Sequence, residues 1–243
     1  MKRFRRIPGR SLLAATLVAM LGLMLLAGLL HLPVPGVPGG PVHGHVAASY
    51  VAGGVEAGGA ANLTTAVLLN YRGLDTFGEV VVIFSALIAV LATCAAGAGP
   101  TSLRRQASVP PPSPVVRFVV RLMAPFMAVF ALFVMVHGDV LPGGGFQGGA
   151  VLGAMFILLT VALGRDRVQD MIPGSILAWL RLAAPFAFIA VALIGMAMTG
   201  WLFGLPGGST LRHGLMILLE IGIGIGGAAV ITGIFIALSG KEH

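Results

Sequence analysis

Glu220 is the residue of this sequence most suited to move a charge. It stands in the apolar run "LLEIGIGIGGAAVI", where a carboxylate costs about 3 kcal/mol on membrane-insertion scales unless it is paired, neutral or facing a hydrated path. His213 lies seven positions earlier. That spacing is two helical turns on one face, so the pair can pass a proton through a water. The alternative is a protonated Glu220 bonded to a backbone carbonyl, holding two helices together.

Arg72, Asp75, Thr76 and Glu79 form a second constellation at i, i+3, i+4 and i+7. On a helix they line one face, and Arg72 can neutralise a neighbouring carboxylate. Gly73 and Gly78 permit a break instead, which exposes backbone groups and is tolerated only under cover of protein or water. Asp75 with Arg72 reads as a structural interface pair rather than an ion site. For Glu79 both readings stand. His43 and His45 make an H-x-H pair, but two ligands without a third define no metal site.

Gly143, Gly145 and Gly148 in "LPGGGFQGG" spell G-x-G-x-x-G, a dinucleotide fingerprint that needs a preceding strand. The flanks "VVRLMAPFMAVFALFVMV" and "AVLGAMFILLTVAL" are helix-length apolar runs, and Gly222, Gly224 and Gly227 repeat the spacing inside another such run. The stretch therefore reads as a turn and packing device. Pro142 turns the chain, and Gly143, Gly144 and Gly145 allow positive φ where side chains clash. Phe146 can anchor at the membrane interface. Gly148, Gly149 and Gly153 give a smooth helix face, and Gly149 with Gly153 forms G-x-x-x-G. His137 and Asp139 beside the turn can tune an outer proton entrance, although their position reads first as an exposed loop.

The elements that must position these residues follow from composition. Hydrophobic residues make up 57% and charged residues 9% of the 243, where soluble domains carry about 25% charged residues. Six apolar runs, 11–32, 80–98, 115–136, 146–163, 182–203 and 215–238, approach the roughly 20 residues needed to cross about 30 Å of hydrocarbon. Backbone satisfaction in lipid requires helices there. The expected fold is all-α and polytopic, with about six transmembrane helices.

Of the 15 Lys and Arg residues only Arg72 and Arg212 fall on one side of the spans, so the positive-inside rule places both termini in the cytoplasm. The formal charge of +7 is thus a topology signal. Scattered over short loops, these charges form no nucleic-acid groove. The first apolar run exceeds the 7 to 15 residues usual for a signal peptide and reads as an uncleaved anchor. Cys94, alone inside the second run, is a small packing residue.

The segment "GAGPTSLRRQASVPPPSPVVR" reads as a stiff cytoplasmic spacer, since proline runs cannot enter a helix. It divides the chain into a two-helix module (1–99), a linker (100–116) and a four-helix module (117–243). Inside the last, "RLMAPF" leads to "LPGG" at Leu141 and "RLAAPF" leads to "LPGG" at Leu205. This echo is either a parallel repeat of a helical hairpin or convergent use of interfacial Arg and turn-forming Pro-Gly.

"HGDVLPGGGFQGG" with "LLEIGIGIGGAAVI" closely resembles the B subunit of Mrp-type multisubunit cation/proton antiporters, the MnhB family, over about residues 115–240. "NLTTAVLLNYRGLDTFGEVVVIFSALIAVLA" resembles the C-terminal segment of the large antiporter A subunit, which is a small separate subunit in membrane-bound hydrogenases. The resemblance implies an accessory subunit in the prokaryotic cytoplasmic membrane, with other integral membrane subunits and lipid as partners and Na+ and H+ as transported ions. The residues themselves offer no nucleophile with its base, no redox centre and no P-loop, so no cofactor, no metal, no nucleic acid and no enzymatic reaction is expected. A linker role in a hydrogenase-like redox complex and a purely structural scaffold are the alternatives.

Overall fold

In the computed structural model the described residues are 9–32, 37, 39–40, 44–95, 112–206 and 209–239. Among them every regular element is a helix. Most of the proline-rich connection, residues 96–111, lies outside them, as does His43.

The chain forms two compact units, Met1–Ala48 and Ser49–His243. The first contains α1, Gly9–Leu30. Its span Leu12–Leu30 has a mean hydropathy of 2.5 and no buried residue, the all-round apolar surface of a helix made for lipid.

The second unit contains the remaining spans. A short α2 (Val46–Gly53) is followed by α3 (Leu63–Thr65), a π-helical turn (Ala66–Tyr71) and α4 (Gly73–Ala95). Then come α5 (Pro114–Val136), α6 (Gly145–Leu163), the short α7 (Arg165–Met171) and α8 (Gly174–Leu180), α9 (Ala183–Thr199) and α10 (Ser209–Leu238). With Leu12–Leu30, the segments Gly73–Ala95, Pro114–Val136, Gly145–Leu163, Gly174–Thr199 and Thr210–Leu238 are long and apolar enough to cross a membrane. All six expected spans have a counterpart.

Local chemistry sets the ends. Ser113 caps α5, its hydroxyl accepting from Val116 N at 3.3 Å, with Pro114 at the first helical position. Gly164 (φ 91°) breaks α6 from α7, and Gly200 (φ 77°) closes α9 in the left-handed region. The expected boundaries need correction where polar residues were read as span ends. The second span begins at Gly73 rather than residue 80, the fifth runs Gly174–Thr199 rather than 182–203, and the sixth begins near Thr210 rather than Leu215. Helix continues through Asp75, Glu79 and His213 because it satisfies its own backbone whatever the side chains.

Helix α10 is the centre of this unit and touches α6, α9, α4 and α5. Phe77 of α4, Phe188 of α9 and Phe203 close a core of tilted and edge-on rings with centroids 5.7–6.1 Å apart. On the other face of α10, the glycines of α6 allow close approach. A Cβ at Gly149 would lie 2.7 Å from the Gly224 carbonyl oxygen, and one at Gly153 would lie 3.2 Å from Ile231. The stripe Gly145, Gly149, Gly153 thus runs along the α6–α10 contact. The two "APF" strings serve different structures: Pro125 lies inside the continuous α5, whereas Arg181 and Leu182 form the turn between α8 and α9.

Candidate functional site

At an axial rise of about 1.5 Å per residue, Glu220 lies roughly 16 Å beyond the start of α10. That is deeper than its expected place a few residues into the span, because the helix begins at Ser209. Its residue surface is 5% exposed. The carboxylate is held from two directions: Oε2 accepts the backbone N–H of Gly145, the first residue of α6, and Oε1 accepts the Thr65 hydroxyl at 3.3 Å. A helix start presents unpaired N–H groups and a positive dipole end, so negative charge is favoured there.

The glycine turn gives the carboxylate room. A Cβ on Gly138 would stand 2.9 Å from Glu220 Oε1, and one on Gly144 would stand 2.8 Å from Oε2. Gly143 and Gly144 have φ of 141° and 128°, a region that side chains disfavour. Gly145 is instead the first helical residue, so its expected positive φ is not found. Its constraint is close packing against the Glu220 carbonyl and Ile223. The turn from His137 to Gly145 is therefore the wall of a carboxylate site.

Thr65 supplies a movable proton. Its hydroxyl lies 2.6 Å from the Gly138 carbonyl and 3.3 Å from Glu220 Oε1, yet carries one hydrogen. With Glu220 ionised, the hydroxyl can donate to it. With Glu220 protonated, the carboxyl can donate to Thr65 Oγ while Thr65 donates to Gly138.

Asn62 clamps the same turn. Its Nδ2 donates to the carbonyls of Gly138 (2.8 Å) and Leu141 (2.9 Å), its backbone N–H to Asp139 O (2.8 Å), and its Oδ1 accepts from Thr64 N (3.1 Å) as the cap of α3. Asn62→Ala is expected to loosen this joint by about 1 to 2 kcal/mol, through a lost cap and the loss of the amide's bonds to the Leu141 carbonyl and to the Gly138 carbonyl, which keeps the Thr65 hydroxyl as a donor. The measurement is thermal unfolding in detergent, and an unchanged midpoint would show that water replaces the amide at no cost.

His213 does not approach Glu220 directly. Its Nδ1 meets Asp139 Oδ2 at 2.5 Å, with His213 half-exposed and Asp139 buried. The exposed-loop reading of Asp139 is thus corrected: the turn folds inward because Asn62 and Thr65 bind its backbone. Asp139 Oδ1 is buried without a hydrogen-bond partner. His137 stays exposed at the end of α5, stacked on Phe133 at 4.4 Å. Pro142 is exposed in the turn. Phe146 is partly buried and packs against the core that holds Phe188 and Phe203, while Gly148 faces α5, where a Cβ would meet Met135 and the Ala131 carbonyl.

The Arg72 constellation stands apart from this site in character. Arg72 and Asp75 form an ion pair with both side chains more than half exposed, and Glu79 is exposed on α4. The chain does break here, at Arg72 (φ −130°, ψ 36°) rather than at either glycine. The π turn frees the Leu68 carbonyl, which accepts from the buried Thr76 hydroxyl at 2.7 Å. Asn62, Thr65 and Arg212 escaped the sequence reading. Arg212 donates to the carbonyls of Glu56 (2.9 Å) and Pro206 (3.3 Å), tying the segment before α3 to α10.

Fold and site together define a polytopic α-helical membrane protein with a polar acid centre enclosed among its spans. The family model described as "Domain related to MnhB subunit of Na+/H+ antiporter" matches residues 115–240, more than half of the chain. The chain belongs to that family.

Among curated relatives, a protein of Staphylococcus aureus named antiporter subunit mnhB2 is 26% identical over 52% of this chain and 94% of its own length. A Rhizobium meliloti protein named as the A/B subunit of a K(+)/H(+) antiporter is 25% identical over 68% of this chain, which spans 18% of it. A Methanocaldococcus jannaschii protein is 27% identical over 43% of this chain and 45% of its own length. Among solved structures, a chain of the membrane-bound sulfane sulfur reductase, an archaeal respiratory membrane complex, aligns at a TM-score of 0.69 and 29% identity, over 96% of this chain and 99% of that one. A chain of the Mrp complex from Dietzia sp. DQ12-45-1b shares the fold at a TM-score of 0.66 and 21% identity, over 98% of this chain and 27% of that one.

Proposed function

We propose that this chain is an accessory membrane subunit of a multisubunit cation/proton antiporter, with Glu220 as a station that takes up and releases a proton or a cation. The observation that carries this reading is the placement of Glu220. It is a buried carboxylate within a transmembrane helix, held by an amide and a hydroxyl, with no Lys or Arg pairing it among the described residues. A carboxylate neutralised by a fixed cation is locked, whereas one held by neutral donors can change its charge. The turn that walls the carboxylate also carries the buried Asp139, paired with the half-exposed His213, which supports proton entry from that side.

The likeness to an antiporter protein of A/B type over 68% of the chain supports two modules in one polypeptide, an A-like segment before about residue 99 and the MnhB-like segment after the linker. The basic-residue asymmetry supports cytoplasmic termini in a prokaryotic cytoplasmic membrane. The partners on this reading are the large antiporter subunits and the other small membrane subunits. The only lysines here are Lys2 and Lys241, so any intramembrane lysine of the transport route comes from those partners.

A proton route needs several titratable stations across about 30 Å. The chain alone in proteoliposomes is therefore expected to show no Na+/H+ exchange above protein-free vesicles, and the intact complex to show it. Robust exchange by the isolated chain would refute the accessory role.

One finding favours a second reading, a linker subunit of a redox-driven membrane complex: the full-length likeness to a chain of a respiratory complex at 29% identity. The subunit composition after mild-detergent purification separates the two. Large antiporter subunits without iron–sulfur proteins support the first, and copurifying iron–sulfur subunits support the second.

A further inference from the structure

At the end of α10 remote from Glu220, a cleft of about 240 Å³ opens between α10 and the α7–α8 segment. Two guanidinium groups converge on it. The Arg181 guanidinium lies flat on α10 at Gly233, where a Cβ would stand 2.5 Å from Nη2 and 3.1 Å from Nε. Arg165 Nη1 donates to the Ile236 carbonyl at 3.4 Å. Arg181 Nε is buried without a partner, and so is the Thr232 hydroxyl, whose residue is 3% exposed. Gln169 also lines the cleft, and among the described residues its lining contains no Asp or Glu.

The unpartnered Nε of Arg181 and the unsatisfied Thr232 hydroxyl, beside a second guanidinium, call for an anion with several acceptor oxygens. The rest of the lining narrows the choice. Leu91, Leu177 and Ile236 make part of the cleft apolar, and the neighbouring Trp179 is 72% exposed on the outer surface, as aromatic residues are at the headgroup level of a bilayer. We propose that this cleft binds an anionic phospholipid, its phosphate on Arg181, Arg165 and Thr232 and an acyl chain along the leucines and Ile236. This assignment is independent of the transport role of Glu220.

The test uses the complex purified in mild detergent, stripped of lipid by detergent washing and titrated in native mass spectrometry. The three probes are phosphatidylglycerol, phosphatidylcholine and inorganic phosphate. Phosphatidylglycerol is expected to bind most tightly. Arg181→Gln combined with Thr232→Val should weaken it by roughly tenfold or more, while Arg181→Lys keeps the charge and most of the binding. Arg121→Gln, in a separate cleft against α6 and α7, should leave the affinity unchanged and so reports non-specific attraction. Equal binding of inorganic phosphate would reassign the site to a free anion. Affinity untouched in both Arg181 variants, or a partner subunit's carboxylate found on Arg181, overturns the proposal.

Discussion

Glu220→Gln is expected to leave the complex assembled and to cut coupled transport by about tenfold or more, whereas Glu220→Leu lowers both. The contrast follows from the hydrogen-bond pattern. Gln can place its carbonyl oxygen on the Gly145 N–H and its amide on Thr65 Oγ, because the Thr65 hydroxyl has the Gly138 carbonyl to donate to at 2.6 Å. The Gly145 N–H and the Thr65 hydroxyl stay satisfied, but the side chain cannot exchange a proton or present a full negative charge. Leu leaves the Gly145 N–H buried without an acceptor, a cost of about 1 to 3 kcal/mol. It also introduces a branched apolar group among Gly138, Gly144 and Thr65. The measurement is Na+/H+ exchange per assembled complex across a range of pH. Wild-type rates for the Gln variant throughout that range would make Glu220 a structural hydrogen-bonding residue and favour the scaffold role.

The second large effect is expected at Gly145. A side chain here collides with the Glu220 carbonyl and comes within 2.8 Å of the Ile223 Cβ. Neither neighbour is the free end of a flexible side chain, so relief requires α6 and α10 to separate. Overpacking of this kind typically costs about 1 to 3 kcal/mol, and separation also draws the Gly145 N–H away from Glu220. Gly145→Val should therefore reduce the amount of assembled complex on native gels severely, and Gly145→Ala should do so in part. Gly227→Ala, on the same helix as Glu220 but with open space around the added methyl, is the control expected to assemble normally. Normal assembly of Gly145→Val with altered Na+ dependence would overturn the packing argument.

These residues show how far the sequence could be read. The six spans were legible because hydrocarbon imposes one solution, a helix of about 20 apolar residues, on any backbone that crosses it. Glu220 stood out for the same reason, as a charge in an apolar run. Its partners did not stand out. Thr65 is 155 positions away, and Gly145 contributes a backbone N–H, a group every residue except proline has. Spacing on one helix suggested His213 as the partner of Glu220, but spacing reports only which residues share a face. Asp139 captures His213 because the turn carrying it is pulled inward by Asn62, a contact between distant segments. An Asn before "LTT" does carry a local signal, the helix cap. Its three bonds to the far turn carry none.

The Asn62 clamp has a further consequence for how the complex is put together. The family model matches residues 115–240 and leaves out Asn62 and Thr65, so membership of the family does not require the residues that grip the turn to share a polypeptide with it. Where they are separate molecules, docking must overcome the loss of translational freedom. A covalent connection replaces that encounter with an effective concentration set by the length and stiffness of the link. A joint made of three hydrogen bonds from Asn62 and one from Thr65 can then stay closed although each of its bonds is individually weak. Cutting the chain between residues 96 and 111 should convert the occupancy of the Glu220 site into a concentration-dependent quantity.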